Sequence, residues 1–271
     1  MRVAFACWPA PAHLYPLVPL AWALRSAGHE VTLVSHPDIA AEAVACGLPF
    51  KSLCSQDEIP PLKGPAAEFP AAREAVQRIT EALKIPDDDL GRWGITTTGF
   101  IPSMWEFIPY GGSPRDPMPV MDNMVAFFRA WRPDLVIWDP CMPGAAVAAR
   151  AAGAQQARIY GTDYMGWCQD TYTRLVSQPG AAQVPSPLGE TVRGMAEKYD
   201  VEVDHDILYG QWTVDMIPPG LNFPVNTRKT LMRWVPFTGQ TAMPDWLYPV
   251  PERPRVALSL GASIRKYVKT N

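Results

Sequence analysis

The chain has 271 residues, of which 48% are hydrophobic, so it can bury a sizeable core as one large domain or two small ones. Its 24 basic and 27 acidic side chains give a formal net charge of −3, which argues against nucleic acid or an anionic membrane surface as a partner. The five cysteines are odd in number and lack a CxxC spacing, which argues against structural zinc and predicts a cytoplasmic protein.

Prolines interrupt the apolar stretch at the N-terminus. Pro9, Pro11, Pro16 and Pro19 break a segment that would have to be continuous in a secretory signal peptide. No window of the sequence reaches the length of a membrane span. We therefore expect neither export nor a membrane partner.

The N-terminal stretch predicts a β-α-β unit. An apolar run at residues 3–7 has the length of a buried strand, and a proline-rich loop at 8–15 follows it. Apolar side chains three and four positions apart then predict a helix, which ends at Gly28 before a second strand at 31–34. Such crossovers build parallel sheets.

One histidine, His13, lies in the loop after the first predicted strand. In open α/β sheets, ligands bind beyond the carboxyl ends of the strands, so His13 is a candidate catalytic residue. The alternative is a solvated or capping histidine, and the residues alone leave both interpretations open.

Two later strands are followed by acidic residues. The apolar run 135–138 predicts a central parallel strand that ends at Asp139, and a further strand at 157–160 leads to Asp163. Apolar residues at helical spacing predict helices at 70–84, 119–131 and 143–152. The fold class predicted from this order is α/β, a Rossmann-like parallel sheet with helices on both faces.

A parallel sheet of this kind brings His13 and Asp139 to the same edge. A carboxylate that accepts the Nδ1–H of an imidazole fixes its tautomer and stabilises the imidazolium. Nε2 then takes a proton from a substrate hydroxyl near neutral pH, so we predict a general base with its orienting acid. Alternatively, Asp139 caps the next helix, and Asp134 or Asp163 has the orienting role.

Residues 91–117 combine aromatic side chains with glycines and prolines and show no periodicity. Such a stretch is typical of a loop that lines an apolar pocket. The alternative is that these aromatic side chains pack onto the core.

The C-terminal part of the sequence predicts a domain boundary. Many prolines at 218–253 indicate an interdomain linker after a first domain at 1–217, and a further strand is predicted at 256–260. Residues 254–271 are too few to form a domain. We therefore expect them to be the truncated start of a second Rossmann-like half.

Several motifs of other enzyme classes are missing. No GxGxxG follows a predicted strand, and GxxxxGK, HExxH and paired CxxC motifs are absent. Dinucleotide oxidoreductases, P-loop proteins and zinc hydrolases therefore lose their usual support. A flavodoxin-like protein would need a phosphate loop where the bulky, proline-rich residues 8–15 stand.

Four segments in a fixed order carry a resemblance to a known family. They are Ala12–Leu14 with Leu17–Ala23, Trp131–Pro140, Gly210–Asp215, and Pro244–Leu247 running into Val256–Gly261. On these segments the chain resembles the N-terminal domain of the actinobacterial antibiotic glycosyltransferases of the GT-B fold, family 1. The likeness is strongest to those that attach deoxy-aminosugars to macrolide or anthracycline aglycones.

The resemblance implies an inverting glycosyltransferase. A hydroxyl of a polyketide aglycone would attack the anomeric carbon of a TDP-deoxysugar, with His13 as general base, Asp139 as its partner, and no metal or other cofactor. The expected acceptor-binding residues are Trp8, Met104, Trp105, Tyr160 and Asp163, and the expected donor-binding residues are Gly261 and Ser263. For these last two a plain turn is the equal alternative.

The resemblance also places most donor contacts in a C-terminal half. This chain would then bind the acceptor better than a nucleotide sugar and transfer almost nothing alone. The implied partners are the polyketide aglycone, the TDP-sugar and a cytochrome-P450-like helper protein that docks on helices within 70–131. A non-catalytic aglycone-binding module and a GT-B nucleotide-sugar epimerase are the alternative functions.

Overall fold

The computed structural model of the chain describes residues 1–55, 69–239, 242–249 and 251–258. Its strands are β1 Arg2–Ala6, β2 Glu30–Ser35, β3 Phe50–Ser52, β4 Leu135–Trp138, β5 Gln155–Tyr160, β6 Thr213–Asp215 and β7 Lys229–Leu231. Its α-helices are α1 Pro11–Leu14, α2 Val18–Ser26, α3 Ala40–Ala45, α4 Pro70–Leu83, α5 Asp87–Ile95, α6 Ile101–Ser103, α7 Pro119–Trp131, α8 Gly144–Ala151, α9 Tyr164–Val176, α10 Pro187–Lys198 and α11 His205–Tyr209.

The strands of the described residues form one parallel sheet in the order β3-β2-β1-β4-β5-β6-β7. In β1, Phe5 pairs with Leu33 of β2 on one side and with Ile137 of β4 on the other. The chain builds outward from β1 to β3 and then returns to place β4 on the opposite side of β1. This reversal is a topological switch point, and the crevice beyond the carboxyl ends of β1 and β4 is the expected ligand site.

Helices cover both faces of the sheet. Val3 and Phe5 pack on one face with buried residues of α2 and α3, whereas Ala4 and Ala6 pack on the other with α7 and α8. This alternation follows from the two-residue period of a strand, and all four side chains are almost completely buried. The predicted fold class, an α/β Rossmann-like sheet with helices on both faces, is therefore confirmed.

A π-helical turn, Thr96–Phe100, connects α5 to α6. Its three threonines each donate a hydroxyl hydrogen bond of 2.7–2.8 Å to the carbonyl four residues earlier. Such bonds compete with the helical backbone ladder and bend helices, and π-turns are frequent at functional sites. The stretch predicted as an irregular loop is thus largely helical as far as Glu106.

The segment predicted as a linker contributes a strand to the sheet. β7 lies within 218–253 and pairs in parallel with β6, and the sheet-bearing unit extends to Gly239. Each of these strands has only three residues, too few for a periodic pattern to be visible. A second unit covers 240–271, where residues 256–258 form no strand. The assignment of 254–271 to a second domain stays a prediction.

The helices are short compared with a lipid bilayer. α4, with 14 residues, is the longest α-helix of the described part of the chain and measures about 21 Å at 1.5 Å per residue. Among the residues that the structure describes, none of the helices combines the length and the apolar character needed to cross a membrane.

Candidate active site

His13 and Asp139 lie in direct contact at the switch point of the sheet. The Nδ1 atom of His13 is 2.5 Å from Oδ2 of Asp139. Asp139 follows the last residue of β4, and His13 lies in α1, a short helix after β1, rather than in the predicted loop. Pro11 suits the first position of this helix because its missing N–H needs no partner there.

The backbone around Asp139 fixes the carboxylate. Its own amide donates a 2.9 Å hydrogen bond to the carbonyl of Ala6, which continues the pairing of β1 with β4. Oδ2 also accepts the amide of Trp8 at 3.1 Å, and Oδ1 accepts the amide of Cys141 at 2.8 Å. Since Asp139 is fully buried, these bonds replace the water that the carboxylate would otherwise need.

The two other acidic candidates are engaged elsewhere. Asp134 precedes β4 and accepts the amide of Arg2, at the opposite end of the strands. Asp163 caps α9 through the amide of Gly166 and pairs with the guanidinium of Arg158. Asp139 is thus the acidic residue that the fold places against His13, although its catalytic role stays a prediction.

The pair alters the protonation of His13. Burial taken alone lowers the pKa of the imidazole, but the charge of Asp139 and its hydrogen bond outweigh burial, so that the pKa of His13 is raised. With Nδ1 donating to the carboxylate, the lone pair of the neutral ring is on Nε2. This is the tautomer that a general base requires.

We expect His13 to titrate above its ordinary value of about 6.5 in an NMR titration of the chain. Because the pKa of His13 is higher in the folded state than in the unfolded state, protonation of His13 stabilises the fold. This stabilisation is fully present below about pH 6.5 and is lost as the pH rises through the raised pKa. In Asp139→Asn the charge is lost while burial remains, so the pKa should fall below that of the wild type. An unchanged titration in Asp139→Asn would contradict this account.

Three potential metal ligands cluster here, since side-chain atoms of His13, Asp139 and Cys141 lie within 4.8 Å of one another. Both Asp139 oxygens already accept backbone amides. Burial, followed by the charge of Asp139, raises the pKa of the Cys141 thiol well above its usual value, so that the thiolate needed as a ligand is disfavoured. The arrangement suits a hydrogen-bonded pair better than a metal site, and the absence of a metal requirement stays a prediction.

His13 faces a cavity of about 540 Å³. The walls come from segments that follow the carboxyl ends of five strands, β1, β4, β5, β6 and β7, together with the last residue of the π-helical turn. The lining residues are Pro11, Ala12, His13, Tyr15, Pro16, Phe100, Pro140, Cys141, Gly161, Thr162, Asp163, Tyr164, Met165, Met216, Ile217, Trp234 and Phe237. A volume of this size, with mostly apolar walls and a few polar groups, is typical of a small-molecule site.

The predicted acceptor-binding residues differ in their position relative to the cavity. Asp163 lines the cavity, whereas Met104 and Trp105 are 1% and 2% exposed within the core and do not line it. Helical turns over 101–106 direct these two side chains into the core, as the alternative expected, and their contact with an acceptor stays a prediction. Trp8 reaches the site through its backbone amide, while its ring packs on Phe107.

The structure does not describe the contacts of three further predicted site residues. Tyr160 ends β5, but its side chain is not among the described groups. Gly261 and Ser263 are outside the described residues, so their expected contacts with the donor remain predictions.

Sequence reasoning missed most of the aromatic wall. Tyr15, Phe100, Tyr164, Trp234 and Phe237 line the cavity but are scattered along the chain and share no motif. The ring of Phe100 packs on Tyr164 at 5.0 Å, and that of Tyr15 meets the edge of Phe237 at 5.4 Å. No local pattern brings such residues together, because only the strand order does so.

Arg158 was also missed, although its signal was visible. It is a charged residue between Ala157 and Ile159 of β5, and it is 1% exposed. Its guanidinium pairs with Asp163, which is 5% exposed. A charge within an apolar run indicates a buried partner, since an unpaired buried charge is very costly.

The sequence matches the family model of the erythromycin biosynthesis protein CIII-like N-terminal domain over residues 22–261. It is similar to the aclacinomycin-T 2-deoxy-L-fucose transferase of Streptomyces galilaeus, with 32% identity over 98% of this chain and 61% of the relative. It is also similar to the 10-deoxymethynolide desosaminyltransferase of Streptomyces venezuelae, with 33% identity over 98% of this chain and 61% of the relative.

Among solved structures, the chain is similar to the glycosyltransferase VinC, whose crystal structure is a complex with dTDP. The TM-score is 0.69 and the identity 30%, over 99% of this chain and 62% of VinC. The chain thus spans about 61% of the length of the curated relatives it matches. The match of the family model to most of the sequence shows that the chain belongs to the erythromycin biosynthesis protein CIII-like N-terminal domain family.

Proposed function

We propose that this chain is the acceptor-binding part of an inverting glycosyltransferase, which transfers a deoxysugar from a TDP-sugar to a hydroxyl of a polyketide aglycone. The observation that carries the proposal is the pair of His13 and Asp139 at an apolar cavity of about 540 Å³. Relatives named for transfer of 2-deoxy-L-fucose and desosamine support the reaction class. A solved relative bound to dTDP supports the donor class.

In the proposed reaction, Nε2 of His13 takes the proton of the acceptor hydroxyl as its oxygen attacks the anomeric carbon. The bond from that carbon to the phosphate oxygen breaks, and TDP leaves with the bonding electron pair. The resulting imidazolium is stabilised by the carboxylate of Asp139 at 2.5 Å. Attack opposite the leaving group inverts the anomeric centre, and no step needs a metal ion.

The proposal includes the other partners. The TDP-sugar would be held mainly by a donor-binding half, with Gly261 and Ser263 at the start of its phosphate loop. A cytochrome-P450-like helper protein would dock on helices within 70–131. We place the reaction in the cytoplasm, because the odd number of cysteines without a pairing pattern favours a reducing compartment.

Calorimetry on the purified chain tests the proposal. We expect aklavinone, an aromatic tetracyclic aglycone, or 10-deoxymethynolide, the macrolactone in the name of one relative, to bind with a Kd in about the micromolar range. TDP, titrated in parallel, should bind at least about tenfold more weakly than the better aglycone. Tight TDP binding without aglycone binding would contradict the proposal and favour a nucleotide-sugar epimerase.

A further inference from the structure

The segment that follows β7, residues 232–239, forms one wall of the cavity. We call it the strap. Trp234 and Phe237 of the strap line the same cavity as His13. The sequence predicted only that these residues belong to the interdomain linker 218–253.

Both ends of the strap are attached to the sheet-bearing unit. The amide of Met232 donates a 2.8 Å hydrogen bond to the carbonyl of Asp215, the last residue of β6. At the other end, the ring of Phe237 meets Tyr15 at 5.4 Å. Gly239 has a φ of 77°, and a Cβ on it would lie 3.1 Å from the hydroxyl of Tyr15. The positive φ favours glycine, and the short distance shows that the end of the strap packs closely on Tyr15.

The middle of the strap is exposed. Residues 233–236 are exposed, and Trp234 in particular is 51% exposed although it lines an apolar cavity. An indole ring can bury about 150–250 Å² when it is fully covered, so a half-exposed ring at a cavity leaves much apolar area for a ligand. Trp and Tyr dominate contact energies where they anchor a partner in this way.

The charges of the cavity restrict the ligand. Of its ionisable lining residues, His13 is paired with Asp139, and Asp163 is paired with Arg158. The other lining residues are mostly apolar or aromatic, and none of them is Asp, Glu, Lys, Arg or His. A ligand covered by Trp234 would therefore be an uncharged molecule with an extended apolar face.

We propose that Trp234 is a specificity-determining residue of the acceptor site, whose indole covers the apolar face of the bound aglycone. This inference rests on the proposed function, because its ligand is the acceptor. The strap thereby contributes to the choice of aglycone, together with the segments that follow the other strands.

Substitution at Trp234 tests the inference in the full chain. Trp234→Ala should raise the Kd of the better-binding aglycone, aklavinone or 10-deoxymethynolide, by about tenfold or more, whereas Trp234→Phe should retain most of the affinity. Trp22→Ala is the matched control, since Trp22 is 41% exposed on α2 and does not line the cavity. Far-ultraviolet circular dichroism of each variant identifies any loss of fold.

A fluorescence measurement gives an independent readout. The aglycone should protect part of the tryptophan emission from iodide quenching, and this protection should disappear in Trp234→Phe but persist in Trp22→Phe. If both Trp234 variants bind the aglycone as tightly as the wild type, with protection unchanged, the inference is overturned and the proposed function stands. If the wild-type chain binds neither aglycone, the proposed function itself fails and the inference fails with it.

Discussion

Replacement of His13 by alanine is expected to lower the rate of glycosyl transfer by about 10³-fold, because the acceptor hydroxyl loses the base that takes its proton. The test enzyme joins this chain to the donor-binding half of a relative such as the desosaminyltransferase. Aglycone affinity should change by less than about threefold, since the cavity keeps its other walls. The measurement is turnover with saturating donor beside calorimetry of the aglycone.

The pH dependence separates a base from a merely structural histidine. A base must be neutral, and since the pKa of His13 is raised, the rate should increase with pH through a value above about 6.5. In Asp139→Asn this rise of the rate with pH should occur at lower pH, and turnover should be reduced, because the imidazolium loses its charged partner. His205→Ala is the control, since His205 is exposed and bonds the carbonyl of Asn226 away from the cavity. Full turnover in His13→Ala would favour a non-catalytic binding module.

A large effect on stability is expected at Arg158. In Arg158→Ala, the carboxylate of Asp163 stays buried without its cation, and we expect a loss of about 3–5 kcal/mol in the free energy of unfolding. The variant also leaves a space beside Thr213 and the ring of Tyr209, both of which contact the guanidinium. Urea denaturation followed by circular dichroism measures the change.

An exposed ion pair supplies the matched control. Arg150 pairs with Asp204 at 2.8 Å, but the two side chains are 31% and 41% exposed. Arg150→Ala should therefore cost no more than about 1 kcal/mol. The double variant Arg158→Met with Asp163→Asn should recover much of the loss, because no buried charge remains. Equal losses of unfolding free energy in Arg158→Ala and Arg150→Ala would show that the buried pair stabilises the fold no more than the exposed pair does.

The centre of the fold was predictable because its signals are local. The β-α-β unit and the apolar run 135–138 are long enough for their patterns to be read, and the rule for ligands at the carboxyl ends of strands then brought His13 to Asp139. β6 and β7 have three residues each and were not identified. Because β7 was not predicted, residues 232–239 were assigned to the proline-rich linker 218–253, and their position at the cavity was not predicted.

The aromatic wall shows the other limit of sequence reasoning. An apolar pocket was expected from residues 91–117, and Met104 and Trp105, which were assigned to it, lie in the core, whereas Phe100 of the same stretch lines the cavity. The choice depends on the helical register, which the π-helical turn shifts. A π-turn has no signal in the spacing of apolar residues, so the sequence alone did not distinguish inward from outward positions.

The π-helical turn also has a consequence for changes of chain length. A π-turn holds one residue more than an α-helical turn, so deletion of one residue within Thr96–Phe100 would restore an α-helix without rotating the segment that follows. Met104 and Trp105 would keep their inward positions, and the change would fall on the cavity wall at Phe100. Substitution changes a side chain on a fixed backbone, whereas a change of length here moves the backbone that carries Phe100. A change of chain length at this turn would therefore alter the cavity wall while leaving the core around Met104 and Trp105 in place.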